Sequence, residues 1–310
     1  MGFFWTSAGR LRLIWRVLLF ILLFALFAAL GSLAAWPGLP GQTFPLLLGA
    51  LLAGWILLGM EERPPGALGF YLAPSAGREG LAGLGLGVVV AGVVVLGIAA
   101  LGGIRWSGPG GSAGESFLAG AAALWLFAIP AAAEEALLRG YVFQSLAEGW
   151  GAVRALWLTS LVFGLLHLGN PNVAPVGFVS IVVAGLFLGV VYLKTASLWW
   201  ATGAHLGWNW AHGFLAGLPV SGLDLVEGPL VESHVRGAQW VSGGAFGPEG
   251  SVVAAAVLGV AALVLWRASW LRPGAHAVEV RPLVLEGESQ GSPPRFGEGI
   301  RRPVDGGKQP

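Results

Sequence analysis

The chain has no cysteine among its 310 residues, which excludes disulfides, thiolate metal ligands and a cysteine nucleophile in any compartment. It is also poor in charge. Asp, Glu, Lys and Arg together make up 11% of the residues, against about 25% in an ordinary soluble domain. The net charge of +1 offers no broad field that would attract a nucleic acid. An internal repeat and a second soluble domain are missing too.

Hydrocarbon fills the space that charge leaves. Hydrophobic residues are 55% of the chain, and apolar runs near twenty residues recur, each long enough to cross a bilayer core of roughly 30 Å. This predicts an all-α, polytopic transmembrane bundle of eight spans, at 17–36, 44–60, 81–104, 116–147, 152–168, 175–193, 197–218 and 251–271. The first run follows Arg10, Arg12 and Arg16 and ends in the small residues "GSLAA", as a signal peptide would. Its apolar stretch exceeds the usual h-region of about 7–15 residues, which favours a retained first span. Segment 116–147 is too long for one perpendicular crossing and is expected to project from the membrane or kink at Pro130.

Orientation follows from the basic residues. With the N-terminus inside, fourteen of the seventeen Lys and Arg residues are cytoplasmic; only Arg105 and Arg236 fall outside, and Arg139 lies within a span. Such a bias places both termini in the cytoplasm. The chain then divides into three N-terminal spans (1–115), a four-helix core (116–218), an external loop (219–250), a last span (251–271) and a cytoplasmic tail (272–310). The tail is rich in Gly, Pro, Glu and Arg with little to bury, and is expected to be disordered.

Ionisable groups inside spans are costly and are functional candidates by default. Nearly all of them fall in three stretches: "EEALLR" (134–139), "FGLLH" (163–167) and "HLGWNWAH" (205–212). At 1.5 Å per residue from their connecting turns, Glu134 and His167 lie at roughly 20–27 Å and His205 and Asn209 at roughly 14–20 Å, so the groups can meet at one level. His205, Asn209 and His212 are spaced to share one helical face. Glu135 and Arg139 stand four apart with the acid first, the order that favours a structural ion pair. Glu134 points about 100° away from Glu135 and has no charge partner three or four residues off, which suits it to be a base. His212 is expected to be structural or supporting, and His234 and His276 to be solvated.

Three chemistries compete for this set. A serine triad lacks support, because Ser145, Thr159, Ser160 and Ser180 are isolated and no glycines form a nucleophile elbow. A helical HExxH motif is absent, although Glu134, His167 and His205 could supply three ligands of an open zinc site. In the third, Glu134 and His167 deprotonate a water while His205 and Asn209 donate hydrogen bonds to the developing oxyanion. Asparagine is an uncommon zinc ligand and a natural oxyanion donor, which favours this metal-free form.

In order, EExxxR (Glu134, Glu135, Arg139), FxxxH (Phe163, His167) and HxxxN (His205, Asn209) resemble the CPBP family, which groups type II CAAX prenyl proteases with bacteriocin-processing and immunity proteins. The likeness covers roughly 116–215, including the approach "SLWWATGAHLGWNW". It implies an intramembrane endopeptidase in a bacterial cytoplasmic membrane, acting on membrane-anchored protein or peptide. It implies that Glu134 and His167 activate water and that His205 and Asn209 form the oxyanion hole. The family is also described as metalloproteases, which keeps zinc as the competing cofactor. Two rivals stand beside the enzyme: a non-proteolytic immunity or scaffold protein, and a transporter. The transporter predicts pseudo-symmetric halves with paired broken helices, and the sequence shows none.

Overall fold

Backbone N–H and C=O groups in hydrocarbon need partners within the chain, and the apolar runs accordingly fold as helices. The computed structural model describes residues 3–5, 11–34, 36–109 and 111–283. In chain order these form α1 (Leu13–Ser32), α2 (Gly38–Met60), α3 (Ala76–Ala100), β1 (Ile104–Pro109), α4 (Ala113–Arg139), α5 (Tyr141–Trp150), α6 (Ala152–Leu166), α7 (Pro175–Thr195), α8 (Leu198–Trp210), β2 (Val231–Val235), α9 (Gln239–Ser242), α10 (Val252–Arg267) and α11 (Ala275–Val280).

The chain is an all-α polytopic bundle. Six described segments are long and apolar enough to cross a membrane: α1, α2, α3, α4 with α5, α6 with its 3₁₀ end, and α7. The other two expected spans correspond to shorter helices. α8 runs 13 residues and continues as a π turn over Ala211–Leu215, and α10 runs 16. The outward faces stay apolar, with Leu22, Val89, Trp125 and Trp157 exposed.

α4 starts on a capping box, in which Ser112 and Glu115 satisfy each other's backbone groups. It runs through Pro130 without interruption and ends at Gly140 instead. A Cβ at Gly140 would lie 2.3 Å from the Ala136 carbonyl oxygen, so only glycine permits this break. α5 then packs Tyr141, Phe143 and Leu146 into the core. At the same end of the bundle, Arg16 of α1 bridges Glu61 and Glu148, each at 2.8 Å.

Two expectations change. The chain contains a small antiparallel sheet, β1 with β2, in which Arg105 faces His234; the sequence "VESHV" alternates as a strand does. The expected disordered tail is ordered as far as Leu283. α11 and its neighbours bury Leu271, Ala277 and Leu283, and the Arg63 guanidinium donates to the Arg281 carbonyl at 2.7 Å. The remainder of the tail, from 284, lies outside the described residues.

Candidate active site

Three helices supply the polar groups, and each is fixed from behind. α8, carrying His205 and Asn209, starts with Ser197, whose hydroxyl accepts from the Trp200 N–H. Its back lies on α3 through glycines. A Cβ at Gly203 would fall 2.2 Å from the Gly80 carbonyl oxygen, and one at Gly207 would fall 2.1 Å from that of Leu84. From the other side, Cβ atoms at Gly83 and Gly87 would strike the carbonyls of Trp200 and Ala204 at 2.3 and 2.1 Å. Side-chain-free surfaces let helix backbones touch, so α8 has little freedom to shift or roll.

Glu135 and Arg139 of α4 are fully buried, with Arg139 Nη1 3.0 Å from Glu135 Oε1. The same Oε1 lies 3.0 Å from His205 Nδ1. Glu135 therefore joins two helices, where the i, i+4 spacing had assigned it to Arg139 alone. Arg139 also donates from Nη2 to the Gly185 carbonyl of α7 at 3.0 Å, and its guanidinium lies 4.8 Å from the centroid of Phe163. The same ring meets the imidazoles of His167 and His205, at 4.5 and 5.9 Å between centroids. Phe163 thus packs against the buried cation and both histidines, while the cation and His205 also share one Glu135 oxygen.

His167 lies where α6 passes into a 3₁₀ turn. Its Nδ1 is 2.7 Å from the Phe163 carbonyl, which can only accept, so Nδ1 carries the proton and Nε2 presents a lone pair in the neutral ring. Neutral His205 is fixed the same way by Glu135. Both Nε2 atoms face Glu134 Oε2, each at 3.9 Å. That oxygen is buried and has no hydrogen-bond partner, although the Glu134 side chain as a whole is 36% exposed. Three acceptors therefore converge on one point with no donor between them. A shared water, a proton or a cation relieves that arrangement.

The donor set suits zinc in kind but not in spacing. Carboxylate and imidazole are suitable ligands, and acceptors behind both Nδ1 atoms are what metal-bound histidines use. The spacing is less suitable: two ligands at about 2.0–2.1 Å from one ion sit about 3.4 Å apart in a tetrahedron, and the observed gaps are 3.9 Å. Among the described residues no group of three His, Asp or Glu side chains is drawn tightly enough to hold a metal ion. A water at about 2.8 Å from each atom spans the same gaps with ordinary hydrogen bonds.

Asn209 is buried one turn beyond His205, and its carboxamide has no hydrogen-bond partner among the described residues. His212 sits in the π turn, fully buried, 4.4 Å edge-on from Trp208, with neither ring nitrogen partnered. His234 is exposed, whereas His276 pairs with Glu279 at 3.0 Å and packs edge-on against Tyr71.

One residue of the expected exterior loop is buried. Glu249 is 3% exposed and lines a small cavity together with His167, His205, Trp208 and Ser221. The signal available in the sequence was its position three residues before the apolar run of α10, where a solvated carboxylate is out of place.

Comparison with family models matches residues 116–211 to the family described as Type II CAAX prenyl endopeptidase Rce1-like. The matched segment holds all three polar stretches through Asn209 and ends before His212 and Glu249. Comparison with curated proteins and with solved structures returned no match.

Proposed function

We propose that this chain, whose segment 116–211 belongs to the CPBP family, is an intramembrane endopeptidase that hydrolyses a peptide bond in a membrane-associated, CAAX-type substrate. The observation that carries the reading is the convergence of Glu134 Oε2 on two imidazole Nε2 atoms, with the buried Asn209 carboxamide one helical turn beyond His205.

A water between Glu134 and His167 donates one hydrogen bond to Oε2 and the other to Nε2. As its oxygen attacks the scissile carbonyl, Glu134 takes the proton. The carbonyl becomes an oxyanion, which the Asn209 Nδ2–H group stabilises. His205 contributes a second hydrogen bond in its doubly protonated form, since only then does Nε2 donate while Nδ1 still donates to Glu135. Collapse of the intermediate breaks the C–N bond. Glu134 returns its proton to the leaving nitrogen, the second water proton passes from the new carboxyl group to the released amine, and the products are a carboxylate and an ammonium group. No step requires a metal, and the wide spacing of the acceptors supports that form over the zinc-dependent one.

The test uses purified full-length protein in proteoliposomes and a lipid-anchored, internally quenched peptide library. Cleavage by wild type that disappears in Glu134→Gln supports the mechanism. Cleavage that survives the substitution sinks it, and a wild type that cleaves nothing supports the immunity or scaffold reading.

A further inference from the structure

Glu249 lies outside the matched segment and outside the mechanism above, yet it is built into the same cavity. Its Oε1 accepts from the Trp208 indole N–H at 2.6 Å. Its Oε2 accepts from the Ser221 backbone N–H and hydroxyl, both at 2.7 Å. An indole N–H and a backbone N–H can only donate, so the pocket is shaped for a carboxylate. Trp208 stands between His205 and Asn209 in sequence, and its ring walls the cavity that the two histidines line.

That cavity has a volume of about 20 Å³. A single water needs roughly 10–15 Å³ and two to four polar partners. Here the polar partners are His205, Ser221 and Glu249; His167 also lines the space, but its Nδ1 is taken by the Phe163 carbonyl and its Nε2 by the attacking water, and the remaining wall is apolar. Glu134 does not line this space, so a water here is distinct from the one that attacks the substrate. Glu249 Oε1 accepts one bond from the protein and keeps a second acceptor position.

We propose that Glu249 is a positioning residue of the active site: it fixes Trp208 on α8 and, through one water held in this cavity, sets the orientation of His205. The 219–250 loop thereby contributes to the site instead of merely covering it. The kinetic part of this proposal rests on the endopeptidase reading; the water does not.

Two measurements test it. A structure of the full-length protein at a resolution that shows ordered water should place one water within hydrogen-bond distance of both Glu249 and His205 Nε2. A dry cavity, or a water that does not touch His205, overturns the proposal whether or not the protein is a protease. On the quenched peptide library, Glu249→Gln should lower kcat about 10–100-fold with little change in KM, because misaligned groups cost rate more than binding. Trp208→Phe, which keeps the aromatic wall and removes only the indole donor, should lower kcat by a smaller factor with an unchanged melting temperature; it serves as the folded comparison where the Gln variant fails to fold. Full turnover in Glu249→Gln, or in Trp208→Phe where Glu249→Gln does not fold, overturns the positioning role, as does a fall in KM or melting temperature alone. If wild type cleaves no peptide, the endopeptidase reading fails, and the ordered-water result alone decides this one.

Discussion

Replacing Arg139 with alanine removes three things at once. The buried carboxylate of Glu135 loses its cation at 3.0 Å, the Gly185 carbonyl loses its donor at 3.0 Å, and Phe163 loses the guanidinium packed 4.8 Å from its centroid. Removing one partner of a fully buried pair costs about 3–5 kcal/mol, because the remaining charge stays in a poor solvent. His205 Nδ1 still reaches Glu135, which places the cost toward the lower end of that range. For a chain of this size about 3 kcal/mol corresponds to a melting temperature lower by roughly 5 °C. Thermal unfolding in detergent, followed by the fluorescence of the fifteen tryptophans, measures it. Arg139→Lys should lie between wild type and alanine, since a point-charge ammonium does not span two acceptors as the planar guanidinium does. An Arg139→Ala protein that melts with wild type would refute the buried pair as a structural element.

Asn209→Ala should lower kcat about 10²–10³-fold while the protein remains folded, because an oxyanion hydrogen bond acts mainly in the transition state; equal turnover in the two proteins excludes Asn209 from the oxyanion hole. Exhaustive chelation should leave wild-type cleavage intact, and stoichiometric zinc lost together with activity and restored with it would instead establish the metal-dependent form. Gly207→Ala should destabilise by about 1–3 kcal/mol or more through overpacking, since the new methyl meets the Leu84 carbonyl at 2.1 Å and backbone cannot step aside. Gly85→Ala is its control: nothing lies within 4 Å of that position, so the change should be neutral or stabilising by up to about 1 kcal/mol, and equal losses at the two positions would rule out the glycine contact between α3 and α8.

Local periodicity carried much of this molecule. Helices follow from the apolar runs, the Glu135–Arg139 pair from its spacing, and the shared level of Glu134, His167 and His205 from counting residues to the turns. What counting cannot supply is rotation about the helix axes. The i, i+4 rule puts Arg139 beside Glu135, but nothing in either sequence says that α8 turns His205 Nδ1 toward the same oxygen. That depends on the packing of α3, whose glycines read only as a generic sign of close helix contact. The break in α4 was equally ambiguous. Pro130 is the stronger local signal, yet an interior proline is tolerated when its neighbours satisfy the freed carbonyl, whereas Gly140 is where α4 ends and α5 begins.

Glu249 shows the other limit of a local reading. A stretch with four carboxylates among glycines and prolines looks like solvated loop, and composition alone gives no reason to single out one member. The reason lies in the partners: an indole on α8 and a serine 28 residues earlier both present donors to one point. Buried donors require acceptors as firmly as buried charges require counter-charges. Trp208, set in a helix between His205 and Asn209, has an N–H that its own helix leaves unsatisfied, because the backbone carbonyls there are already used. An acceptor therefore has to come from another element. The short α8 and α10 leave room at that end of the bundle, and the 219–250 loop fills it, bringing a carboxylate to the indole and to the cavity behind the histidines. The same folding demand that closes the bundle at this end therefore also completes the polar surroundings of the site.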